Sequence, residues 1–330
     1  MLGTFLDRAK GLLSGDFLIA YWFPVFVASF ISILIRAYVY GFEAALNWWQ
    51  QDWMLRGQEG GFYAQLLFII GTLIAITVLA YLLQPFTLLM IRFYEGYWPL
   101  SLHTLLTDFP ELGEKKIWQK KKDQLDEAEK AEDWQKRDWL MHQLFYSYPS
   151  KAELIMSTRL GNTLRAAEYY STTVYGMDSN FWWPRLWFLL PDRVREEIDK
   201  SLTPIVALLN FSSLIVFVAV FGSAYLWQVG FGWQRWLVLL VGIILAFISY
   251  RAAVAQTENY GENIRAAIDL YRFELLKALR QPLPKNRDEE IERWEILLYW
   301  LYFHNRSAAT KITYIHDENI SKDKRNFRRR

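Results

Sequence analysis

Cysteine is absent from the 330-residue chain. That absence removes disulfides, thiolate metal sites and cysteine nucleophiles together, and it fits a reducing compartment. Histidine is scarce. The four that occur, His103, His142, His304 and His316, are scattered along the sequence, so no zinc site is expected. No phosphate-binding glycine loop, no paired-histidine metalloprotease motif, no serine nucleophile elbow and no kinase signature set is present. No cofactor is expected. A net charge of +2 gives no overall pull toward nucleic acid, and none is expected as a partner. At the N-terminus, MLGTFLDRAKGLLSGDF lacks the apolar stretch and cleavage site of a signal peptide and reads as a short amphipathic helix over 1–16.

Charge is also almost missing from four long blocks, and this absence is the most informative. The mean hydropathy of +0.02 averages these blocks against segments dense in Lys, Arg, Asp and Glu. A helix needs about 20 apolar residues to cross a hydrocarbon core of about 30 Å. The candidates are 17–40, 62–91, 204–228 and 236–255, which pair into two hairpins, 17–91 and 204–255. A soluble-core helix rarely stays uncharged on every face for this length. Tryptophans stand near the block ends: Trp48, Trp49 and Trp53, Trp98, then Trp227, Trp233 and Trp236. Amphipathic rings favour the headgroup level, so their placement supports the boundaries. The expected class is an all-α membrane protein with four transmembrane helices.

The cations set an orientation. Of the 37 lysines and arginines, only Arg36, near the far end of the first block, and Arg56 and Arg235, in the loops after the first and third blocks, fall on one side. The others precede the first block, lie between the second and third, or run from Arg251 near the end of the fourth onward. Both termini and the insert at 92–203 are therefore expected on the cytoplasmic side. A helical cytoplasmic domain is expected from that insert together with 256–306, followed by a basic tail at 307–330.

Within the insert, 114–137 holds 15 charged residues in 24, with opposite charges four apart such as Lys122 and Asp126. It reads as a solvated helix or helical hairpin, and as a surface for a protein partner or for anionic lipid. In LIMSTRLGNTLRAAEYYSTTVYGMDSN, Ser157 and Thr158 suit a helix start, Asn162 a second start, and Gly176 a stop. Arg165 and Glu168 are i,i+3 neighbours and form an expected ion pair. Arg159 and Arg165 are also candidates to hold an anion such as a lipid phosphate, because the guanidinium fork matches phosphate oxygens. The segment 181–190, rich in tryptophan, reads as an interfacial helix with Arg185 reaching the headgroups, or else as a buried element of the domain. After the fourth block, Ile264, Ile268, Tyr271, Leu275 and Leu279 give a continuing amphipathic helix that Pro282 and Pro284 end. A second helix is expected over 289–304.

No ionisable residue lies near the middle of any block, which argues against a proton- or ion-coupled pump. Gln84 and Asn210 are the most polar residues at membrane depth. Interhelical hydrogen bonding is the expected role, and lining a pore between copies is the sharper one. The stretches TRLGNTLRAAE at 158–168, WPRLW at 183–187 and YGENIRAAIDLYRFELLKAL at 260–279 resemble bacterial multi-pass membrane proteins that carry no assigned activity. That resemblance implies a bacterial inner membrane and nothing about chemistry.

Three functions fit. The first is a non-catalytic membrane protein that associates with itself and with membrane lipids, channel-like in its most specific form, with a domain that senses or recruits. Four spans enclose no pathway alone, so conduction requires copies arranged with closed symmetry. The second is a scaffold or accessory subunit of a membrane complex. The third is a lipid-modifying enzyme built on Arg159, Arg165, Arg185 and Asp178, for which no nucleophile–base pair is visible.

Overall fold

A computed structural model describes residues 14–41, 61–99, 107–108, 113–305, 307, 310 and 312–315, without the side chains of 61–65 and 68. Most of the expected N-terminal helix and basic tail, the tryptophans at 48, 49 and 53, Arg56, His103 and His316 lie outside the described residues. Among the described residues the chain is all-helical. The helices are α1 (Gly15–Tyr40), α2 (Gly61–Leu83), α3 (Thr87–Glu95), α4 (Glu114–Lys130), α5 (Trp134–Ser147) and α6 (Arg159–Glu168), followed by α7 (Tyr170–Tyr175), α8 (Ser179–Trp187), α9 (Asp192–Gln228), α10 (Gln234–Ala278) and α11 (Arg287–Leu301).

Four helical stretches are long and apolar enough to cross a membrane: Gly15–Tyr40, Ile69–Glu95, Asp192–Gln228 and Gln234–Ala278. All four expected blocks are helical, but their ends differ. α1 starts two residues early, on a Ser14 cap whose Oγ accepts from the Phe17 amide. It winds as a π-helix over Leu18–Trp22. The second stretch runs on to Glu95, with a 3₁₀ turn at Gln84–Phe86 where Pro85 has no N–H to give. α9 begins twelve residues before Pro204, which sits inside the helix and does not start it. α10 continues without a break to Ala278, so charge enters midway along one helix.

The Cα framework divides into two compact units. One comprises 1–97 and 200–256. Its core includes Phe17, Val25, Ile76 and Ala80, with Trp22 and Leu214 against them. Much of its apolar surface faces outward: only 22%, 11%, 44% and 28% of the four apolar windows is buried.

The other unit comprises 98–199 and 257–330. Trp182, Leu186, Leu190, Ala267, Leu276 and Trp294 belong to its main core. The segment 181–190 therefore turns one face inward, as a buried element does, while Phe188 is 81% exposed. Side-chain caps set the helix starts. Asp133 accepts from Lys136 N–H, Thr158 from Gly161, Asp178 from Phe181 and Asn286 from Glu289. Gly176 ends α7 at φ 69°, and a Cβ there would lie 2.9 Å from Ile291 Cγ2. α11 runs from Arg287 to Leu301, two residues earlier at its start than expected, because Asn286 caps it.

Candidate functional site

The charged stretch at 114–137 folds as the helical-hairpin form of the expectation, with α4 joined to α5 through a turn. It is not solvated throughout, since Trp118 and Ala128 are buried. Its first residue, Glu114, is an anchor. Its Oε2 accepts from the Tyr148 hydroxyl at 2.8 Å and from Asn162 Nδ2 at 3.4 Å, and Arg159 Nη1 stands 3.6 Å away. The Arg159 guanidinium also lies over the Tyr148 ring at 4.3 Å. Burial and then the nearby Glu114 carboxylate push the Tyr148 hydroxyl far above the ordinary phenol range.

Asn162 is not a helix cap. It is buried inside α6, where its carboxamide accepts from Met156 N–H at 2.7 Å and donates to Met156 O at 3.0 Å. Thr158 alone takes the capping role, and Ser157 Oγ has no hydrogen-bond partner among the described residues. Arg165 reaches Met156 Sδ at 3.3 Å and Glu168 at 3.9 Å. Arg159 and Arg165 thus flank one network around Met156, each already facing protein groups. Arg185 stands apart on α8, donating to Phe181 O with its guanidinium 3.6 Å from that ring's centre. Asp178 is occupied as the α8 cap.

A second constellation was missed from sequence. On α10, Glu258, Glu262, Arg265, Asp269 and Arg272 recur at spacings of four, three, four and three, the period of an apolar stripe. Glu258 accepts from Ser147 Oγ at 2.9 Å. Arg265 is almost fully buried, and its guanidinium lies 4.7, 5.0 and 5.9 Å from the rings of Phe145, Tyr146 and Tyr170. It donates to Phe145 O at 3.3 Å and pairs with Glu262 at 3.6 Å, while its Nε has no hydrogen-bond partner among the described residues. Burial lowers its pKa, though an arginine remains charged at neutral pH. Asp269 accepts from Tyr170 and Tyr175, at 3.0 and 2.8 Å. Burial first, then these hydrogen bonds to the carboxylate, raise both phenol pKa values. Arg272 pairs with Glu290 of α11 at 2.8 Å. The seam joins α10 to α5, α7 and α11 through charge and aromatic rings.

Beside the seam, a cavity of about 230 Å³ opens between α4, α5, α6 and α7. Phe145 and Tyr170 belong to both its wall and the ring cage around Arg265.

No match emerges. Comparison with family models, with curated proteins and with solved structures finds nothing similar to this chain. The functional reading therefore rests on the chain's own geometry.

In the apolar unit, polar side chains bridge helices. Asn210 Nδ2 donates to Ala20 O at 2.8 Å, Ser212 Oγ to Ala246 O at 3.0 Å and Ser249 Oγ to Leu208 O at 2.8 Å. Trp22 Nε1 donates to Thr77 Oγ1 and the Tyr94 hydroxyl to Ser212 Oγ. Asn210 is buried and committed to Ala20. Gln84 is exposed at the 3₁₀ turn, and its amide has no hydrogen-bond partner among the described residues.

Proposed function

We propose that this chain is a non-catalytic, multi-pass integral membrane protein of a bacterial inner membrane that assembles with copies of itself. Its helical domain, from the 92–203 insert and 256–306, faces the cytoplasm with both termini and senses or recruits. The carrying observation is the exposure of the apolar stretches, down to 11% buried in the second. Side chains such as Ile74, Leu82, Leu89 and Phe247 face outward. Contiguous apolar surface on this scale needs lipid or another subunit to cover it. In this reading Gln84 faces a neighbouring copy, where an interhelical hydrogen bond satisfies its amide. In the same reading 181–190 lies at the cytoplasmic headgroups, supported by Arg185 and the exposed Phe188. Arg159 and Arg165 are the candidates to meet anionic headgroups, and the exposed face of 114–137 is the contact for a protein partner.

The test is fractionation followed by mass. The intact chain stays with membranes through an alkaline wash and runs in detergent as a multiple of 39.2 kDa. Release into the wash overturns the membrane reading, and a lone monomer overturns self-association. A periplasmic phosphatase fused at Gly60 is active if the orientation is right, and silence there reverses it.

A further inference from the structure

We propose that the cavity between α4, α5, α6 and α7 is a binding site for a small organic anion with a compact aromatic or apolar body. This deepens the sensing role above, and binding is measured apart from membrane insertion, so the two readings fail separately.

The cavity measures about 230 Å³. It falls below the ~300–1,000 Å³ of sites for drug-sized ligands, so its occupant is small. Its lining has two chemistries. Trp118, Phe145, Tyr148, Tyr169 and Tyr170 present ring surface, with Leu144, Pro149 and Val174 between them. Lys122, Ser150 and Thr173 present polar groups. Aromatic walls with a few convergent polar groups are the usual composition of a ligand site.

The sign of the charge follows from the surroundings. An aromatic box alone suits a cation. Here the Lys122 ammonium already occupies the Trp118 face, 4.3 Å from the ring centre. No carboxylate is paired with Lys122 among the described residues. The neighbouring Glu114 carboxylate is matched by Arg159, and Arg265 stands behind the Phe145 and Tyr170 rings. A second cation meets repulsion, whereas a carboxylate or phosphate meets Lys122. The Ser150 and Thr173 hydroxyls, 3.3 Å apart, add donors on the same lining. A ring or short chain then stacks on Phe145 and Tyr170. Those rings cage Arg265 on α10, so occupancy bears directly on the seam between α5, α7 and α10.

The experiment uses the full chain in detergent and in lipid nanodiscs, with para-fluorobenzoate as probe and its neutral amide as control, read by fluorine NMR of the ligand. The acid broadens on adding protein, and the amide binds about tenfold more weakly. Lys122→Met keeps the apolar stem and abolishes that preference. Val174→Trp fills the cavity and abolishes binding of both probes, with circular dichroism confirming the fold. If Val174→Trp does not fold, the half-exposed Lys122 variant still decides. Loss of benzoate broadening in phosphatidylglycerol nanodiscs, but not in neutral ones, assigns the site to an anionic lipid group. Equal broadening in both assigns it to a soluble acid. Equal binding of acid and amide, undiminished acid binding in Lys122→Met, or no broadening by the acid overturns the proposal.

Discussion

The Asn210 carboxamide donates to the Ala20 carbonyl at 2.8 Å, at the point where α1 winds as a π-helix. A π turn displaces carbonyls from the regular i,i+4 ladder, and such turns recur at functional positions. In an apolar surrounding a stranded carbonyl is expensive, so a buried amide from α9 fixes both the distortion and the pairing of the two helices.

Replacing Asn210 with leucine keeps the branched shape and removes the donor. The expected loss is about 1 kcal/mol in detergent unfolding of the purified protein. Ser32→Ala is the control. The Ser32 hydroxyl donates to Ala28 O within its own helix, so its removal leaves stability unchanged. Equal effects from the two substitutions would show that Asn210 does not tie the helices together.

Gly242 of α10 packs directly on Ala219 of α9. A Cβ on Gly242 would lie 2.2 Å from Ala219 Cβ, inside any tolerable contact. Gly242→Ala therefore forces the helices apart and lowers stability to thermal unfolding by an amount typical of overpacking, about 1–3 kcal/mol. Ala219→Gly in the same chain clears the obstruction and recovers most of the loss. Failure of the second substitution to rescue would place the strain elsewhere.

The four apolar helices were readable because hydropathy over about 20 residues is a property of the segment and needs no knowledge of its neighbours. Their ends were less so. Pro204 looked like a start, yet α9 begins at Asp192, and a proline is tolerated within a helix that packing holds in place. Thr158 and Gly176 acted as expected because caps are local. Asn162 has the residue type of a cap and is instead buried against Met156, a contact set by tertiary structure. The α10 seam was missed for a related reason. Glu258, Glu262, Arg265, Asp269 and Arg272 carry a helical period, but charges at that period read as a solvated face. Only the fold brings Phe145, Tyr170 and Tyr175 over them.

Arg265 tests that seam. Arg265→Met retains the stem, removes the guanidinium from three rings and withdraws the donor to Phe145 O. The expected cost is about 2 kcal/mol, the scale of a desolvated cation–π contact. Arg265→Lys does not restore it, since an ammonium lacks the planar stack and the reach of the fork. Thermal unfolding followed in the aromatic dichroism band checks both. Full rescue by lysine would reduce the seam to simple charge.

The tyrosines give the pH dependence a definite sign. Tyr148 donates to Glu114, and Tyr170 and Tyr175 donate to Asp269, the three phenols lying outside the apolar stretches. Burial and these carboxylates raise the three phenol pKa values when the chain is folded. A phenol whose folded pKa lies above its unfolded value of about 10 favours the fold in its protonated form. Its contribution is complete below that value and is lost as pH rises beyond it. Alkaline titration in detergent, followed by phenolate absorbance, then shows two steps. Ordinary tyrosines ionise first with ellipticity intact, and the raised group ionises only as ellipticity falls. Tyr170→Phe shrinks the late step and lets unfolding begin at lower pH, because Asp269 loses a donor. A late step of unchanged amplitude in that variant would mean that Tyr170 titrates as an ordinary phenol and that Asp269 does not hold it.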